Sequence, residues 1–217
     1  MKRLTKILVS VFSAGLFASL VVGSTLALYA SEKTVNNHLV SGDMQAMLYL
    51  KELKNDVLEN NGHITEDVAV DLSGYAGYEE NLSYVDADEQ TVAFNGVNLS
   101  TYDDEVFQVE KIVPTMRGSA EFIIMNNGSD SASDSVAFEF QIELKNKEGD
   151  AELVDQVEVT LENAEWSGND NYVESQHGHS FTVKWEFLDQ DDNNDAMNQG
   201  LSFDIQVTCV QETAQHS

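Results

Sequence analysis

The 217-residue chain has one cysteine, one proline and only 11 lysines and arginines against 38 aspartates and glutamates. A lone cysteine, Cys209, excludes an intramolecular disulfide, so stability must come from a hydrophobic core. Its position in "LSFDIQVTCV" puts it on the inward face of a strand, as a small buried hydrophobe. The lone Pro114 and the lack of any low-complexity stretch leave no linker and no domain boundary. No His-Glu-x-x-His, no glycine-rich phosphate loop and no recognisable Ser-His-Asp neighbourhood occurs. The tail "QETAQHS" is short and polar and carries no membrane segment.

The scarcity of cations is sharper still beyond the first 30 residues. Three of the 11 lysines and arginines lie in that stretch and none of the acids, which leaves 8 − 38 = −30 for the remainder. Such a charge repels nucleic acid and anionic membranes, so neither is expected as a partner, and it opposes self-association at low salt. Any assembly must rest on short-ranged contacts or on screening by cations. Hydrophobic residues make up 42% and fall in patterned runs, which argues against disorder.

The start is different. "MKRLTKILVSVFSAGLFASLVVGSTLALYA" has Lys2, Arg3 and Lys6, then an apolar run from Ile7 to Val22, then small residues from Gly23 to Ala30. These are the parts of a secretory signal, so the protein is expected to be secreted. Ser10, Ser13 and Ser19 make the run less apolar than a spanning helix; an uncleaved membrane anchor is the alternative. Cleavage after Ala27, before Leu28, has Thr25 at the minus-three position; cleavage after Ala30 would have Leu28 there. The reading adopted is a signal peptide over 1–27, an N-terminal arm over 28–42 and a β-sandwich domain over 43–217.

Period-two alternation dominates the last of these. Val136, Phe138, Phe140, Ile142 and Leu144 share one face of "VAFEFQIEL", with Glu139, Gln141 and Glu143 on the other. Val157, Val159 and Leu161 alternate with Glu158, Thr160 and Glu162; Phe181, Val183, Trp185 and Phe187 alternate with Thr182, Lys184 and Glu186. Leu201, Phe203, Ile205, Val207 and Cys209 form a fourth apolar face. One buried and one wet face per strand indicates antiparallel sheets packed together. Weaker strands are read in "DMQAMLYL", "DVAVDL", "TVAFNGVNL", "EVFQVEKIV" and "EFIIMNN", with turn signals at Asn61-Gly62, Asn95-Gly96 and Asn127-Gly128. Nine or ten strands make an all-β fold, an antiparallel β-sandwich. The stretch Asp43 to Asn60 also has good helix formers and is open to a partly helical reading.

Three patches resemble one family. "GSTLALYASEKTVNNHLVSGDMQAML" is similar to the signal exit and first segment of the TasA/camelysin family, with Tyr29, Asn36, Asn37, Leu39, Ser41 and Gly42 in matching places. "IVPTMRGSAEFIIMNNGSDSA" resembles its Pro-led middle strand ending in Asn-Asn-Gly, although Pro114-Thr115 stands where Pro-Gly would be. "FTVKWEF…DNNDAMNQGLSFDIQVTCVQ" resembles its ending. The resemblance implies a jelly-roll-like sandwich, a signal peptidase of the SipW type, and assembly with other copies into extracellular fibres of a biofilm matrix on a Gram-positive bacterium. In those fibres the freed N-terminal segment of one subunit completes a sheet of the next. Independently, Tyr29, Val35 and Leu39 fall at odd positions of the arm and suit successive pockets of an acceptor sheet. The alternative is an arm that pairs within its own domain.

Other sites are weaker. Camelysin resemblance also implies a cell-surface metallopeptidase, yet the five histidines, His38, His63, His177, His179 and His216, lack the spacing of a zinc site. No catalytic residue is assigned, and the chain is read as a non-enzyme. Asp189, Asp191, Asn193 and Asp195 alternate like early calcium ligands, but Asn194 and Gly200 stand where an EF-hand needs Gly and Glu. Calcium is the one cofactor the residues suggest, and a monomeric calcium- or glycan-binding surface protein is a further alternative. Trp185 belongs to an apolar face and to the core; Trp166, beside Ser167-Gly168, is the more exposed tryptophan.

Overall fold

A computed structural model describes residues 27–33, 46–100, 106–110, 113–128, 137–149, 151–165, 172–189 and 200–211. Within them lie β1 (Ala27–Lys33), β2 (Ala46–Leu58), β3 (Ile64–Ala69), β4 (Tyr78–Val85), β5 (Thr91–Asn98) and β6 (Phe107–Glu110). Then come β7 (Arg117–Asn126), β8 (Phe138–Gly149), α1 (Ala151–Gln156), β9 (Val157–Glu162), β10 (Tyr172–Val173), β11 (Gly178–Phe187) and β12 (Gly200–Gln211). The strands form a five-stranded sheet, β10-β8-β12-β1-β6, and a seven-stranded sheet, β4-β5-β2-β7-β11-β9 with β3 also on β2. This is an all-β sandwich.

Its core lies where alternation put it. Phe140 and Ile142 from β8 and Leu201, Phe203, Ile205, Val207 and Cys209 from β12 meet Leu50, Phe122, Ile124, Phe181, Val183 and Trp185 of the other sheet. Phe122 and Phe181 stack at 5.2 Å between ring centres. Each such side chain, fully withdrawn from water, contributes about 1.5–3 kcal/mol before entropy is counted.

Three expectations need correction, and of the two readings of Asp43 to Asn60 the strand holds. The chain forms more strands than nine or ten, and one pairing is parallel: β1 runs with β12, Ala27 opposite Gly200 and Ala30 opposite Phe203. The described part of Asp43 to Asn60 is no helix but β2, 13 residues long. A bulge between Leu50 and Glu52 inserts one residue, so the inward positions run Leu48, Leu50, Leu53. That three-residue step imitates a helical period, and cross-strand packing overrides the propensity of the residues. Asn95-Gly96 makes no turn; it lies inside β5, where a Cβ on Gly96 would sit 2.8 Å from the Leu50 carbonyl oxygen. Asn61-Gly62 does turn, with Gly62 at φ +81°, between β2 and β3.

A second, smaller core lies on the outside of the seven-stranded sheet. β5 pairs with β2 only through Asn98–Tyr49 and Val97–Leu50. Beyond that base the β4–β5 hairpin crosses the outer face of β2 and β7. There Tyr84, Phe94, Tyr49, Ile123 and Met125 bury one another, and Ile123 is 0% exposed. Phe94 meets Tyr49 and Tyr84 edge-on at 5.5 and 5.8 Å. Val85 then bridges to His177 beside β11, closing the path β4-β5-β2-β7-β11 on itself.

Candidate functional site

The feature that speaks to function is the seat of β1. This strand lies inside its sheet, parallel to β12 and antiparallel to β6, with Ala27 opposite Glu110 and Ala30 opposite Phe107. Ala27 and Leu28, the residues of the predicted cleavage, are its first two. Tyr29 sits opposite Ser202 on one side and Gln108 on the other. Taking β1 away would leave two neighbouring strands with unpaired N–H and C=O groups, a slot rather than a plain edge. So Ala27–Lys33 pairs within its own domain, the alternative to donation. Val35 and Leu39 lie outside the described residues.

A groove of about 430 Å³ opens on the outer face of the seven-stranded sheet. Its floor and walls are a grid set by register: Arg117, Glu186 and Glu158 in one row across three strands, Ser119, Lys184 and Thr160 in the next. Lys184 reaches Glu162 at 2.6 Å, and Arg117 approaches Glu66 at 3.9 Å. Glu158 and Glu186 stand directly opposed, a repulsion that Arg117 on the other side of Glu186 offsets. Beneath this face the Asp56 carboxylate, 4% exposed, accepts the Arg117 N–H and the Asp67 N–H, each at 3.0 Å. Among the described residues the lining holds no histidine or cysteine; its carboxylates, Arg117, Lys184, Ser119 and Thr160 offer ion pairing and hydroxyl contacts. Alternation put Lys184, Glu186 and Glu158 on the outward face; only the register brings them beside Arg117.

The histidines separate. His177 points Nε2 at Glu89, 3.7 Å away, and its Nδ1 meets the Ser175 carbonyl. His179 stacks on Phe140 of the other sheet and bonds the Asn163 carbonyl, and burial pushes its imidazole below the ordinary value. The two rings therefore serve different neighbours. His63 is exposed; His38 and His216 lie outside the described residues. Among the described residues no group of three or more histidine, cysteine, aspartate or glutamate side chains could hold a metal ion. Asp189 is exposed just after β11, while Asp191, Asn193 and Asp195, like Trp166, lie outside the described residues. Trp185 is 3% exposed and part of the core, and burial pushes the Cys209 thiol up to about 12.

No helix among the described residues is long and apolar enough to cross a membrane. Compared with family models, with curated proteins and with solved structures, the chain matches none.

Proposed function

We propose that the protein is a secreted structural subunit of an extracellular fibre or biofilm matrix, assembled by strand donation. The N-terminal strand of one copy takes the β1 place in the next, a swap between copies of a pairing the single chain makes internally. The observation that carries this reading is that β1 lies between two strands, β12 and β6, instead of at the rim of its sheet. A strand so placed satisfies backbone groups on both sides, and the same groups would receive an identical strand from a neighbour. Those contacts are short-ranged, as a cleaved chain of net charge 8 − 38 = −30 requires. Cleavage by a signal peptidase of the SipW type is the step that releases the strand. Other copies of the chain are its partners; neither nucleic acid nor a catalytic role is part of the reading.

The test compares the chain begun at Leu28 with one begun at Gly42, each imaged by electron microscopy with calcium or acid added to screen charge. Fibres from the longer chain alone are expected. A peptide of residues 28–40 should raise the melting temperature of the shorter chain by filling its slot. Changing Val35 and Leu39 to Asp should leave the monomer folded and abolish polymers. Monomers from both chains under every condition would overturn the proposal and move attention to calcium, glycan and peptidase assays.

A further inference from the structure

The β4–β5 hairpin is attached at its base, closed at its far end, and apolar beneath. At the base, both strands pass through glycine: Gly77, at φ +81°, precedes β4, and Gly96 slides against the Leu50 carbonyl. Glu79 ties this base together, accepting from Asn98 Nδ2 at 3.0 Å and from the Tyr49 hydroxyl at 3.4 Å. Burial, then the charge of Glu79, pushes the Tyr49 phenol up to about 12, so the donor keeps its proton.

The far end is held by a prepared catch. The Val85 N–H donates to the Gln176 carbonyl at 3.0 Å, and Glu89 lies 3.7 Å from His177. Gln176 has φ +63°, a left-handed conformation that a side-chain-bearing residue rarely adopts. Its N–H donates to the Asn126 carbonyl at 2.8 Å, and its side-chain amide to the Gly128 carbonyl at 3.1 Å. Ser175 and the wholly buried Asn126 brace the same turn through the carbonyls of Gly128 and Val173. Strain persists only where surroundings over-determine it, and here it aims one carbonyl at the hairpin. Next to Val85, the Tyr84 ring lies on Gly178, where a Cβ would be 2.8 Å from it.

We propose that this hairpin is a latched flap, which lifts from the outer face of the seven-stranded sheet as one unit while the sandwich beneath stays folded. Lifting uncovers Tyr49, Ile123 and Met125 on an outer face that elsewhere presents charge, and so turns a repelling surface into one that apolar surface can cover. The flap shares no residue with the β1 slot, so it stands or falls apart from strand donation.

Hydrogen exchange on the full mature chain tests it. Amides of residues 82–94, beyond the attached base, should exchange together and at least about tenfold faster than those of β7, β11 and β12. Ile142→Ala, in the other sheet, should speed exchange of β8, β11 and β12 by about 30-fold or more and leave the flap amides at their original rate. Should that variant fail to fold, Ile142→Val gives the same contrast at a smaller factor. Gly178→Ala, which drives a methyl into the Tyr84 ring, should speed flap exchange about tenfold. Flap amides that accelerate in step with the sandwich in the Ile142 variants would overturn the proposal. So would a flap indifferent to Gly178→Ala.

Discussion

Gly118→Ala is the sharpest test of how the sandwich is packed. Gly118 of β7 lies opposite Trp185 of β11 and Asn55 of β2. A Cβ there would fall 2.4 Å from Trp185 Cζ2, 2.6 Å from its Cε2 and 2.6 Å from Asn55 Oδ1. Carbon atoms rest at 3.5–4.0 Å, so the indole must retreat by about 1 Å. It has little room, because Trp185 is 3% exposed and sits among Val183 and Phe187, which are buried as well. Overpacking of this kind costs about 1–3 kcal/mol. Loss of glycine's freedom in the unfolded chain returns about 0.4–1 kcal/mol, leaving a net destabilisation of about 1–2 kcal/mol. For a chain of this size that lowers the melting temperature by about 2–8 °C, read by near-ultraviolet circular dichroism or tryptophan fluorescence. Trp185→Phe removes the atoms that would collide, so the same Gly118→Ala change in that background should cost less. An unchanged or raised melting temperature, or an equal cost in both backgrounds, would refute the packing described for this site.

Asp56→Ala leaves the Arg117 and Asp67 N–H groups without their acceptor and should cost about 2–4 kcal/mol in urea unfolding, with Asp56→Asn costing less. His179 has its folded value below the unfolded 6.5, so the unfolded chain takes the proton first as pH falls. Its contribution to stability is therefore complete above about pH 6.5 and is lost on acidification through the folded value. Stability measured from pH 7 to 5 should fall less steeply in His179→Phe than in the parent. Cys209, with its thiol pushed up to about 12, should react with a thiol reagent at pH 8 at least about 1,000-fold slower in the native state than in urea.

Much of the sandwich was legible because strand alternation is a local signal. Phe181, Val183, Trp185 and Phe187, and Leu201 through Cys209, are buried as their period required. What escaped was everything that depends on a partner strand. A bulge broke the parity of β2, and Gly96 served close approach to Leu50 rather than a turn. The outward apolar residues Tyr49, Ile123 and Met125 broke the alternation of β2 and β7, a sign that something covers that face. Only the folded hairpin says what. The start of the arm, Leu28 to Lys33, was legible as an extended segment, but its place beside β12 was not, since parallel pairing of distant segments leaves no mark in either.

The placing of β12 has a consequence for the order in which the chain can fold. Among the described strands it is the last along the sequence, yet it stands in the middle of its sheet, between β8 and β1. The strands of the other sheet all lie between residues 46 and 187 and need nothing that follows. As the chain is made from its N-terminus, the seven-stranded layer can form first, with Leu50, Phe122 and Phe181 turned toward a layer that has no centre. Every contact of β1 with β12 spans more than 160 residues and closes last, the slow kind of step that sets folding rates. Until then the nascent protein carries an open hydrophobic face, and the time to synthesise its final strand is the time it must be kept from its neighbours.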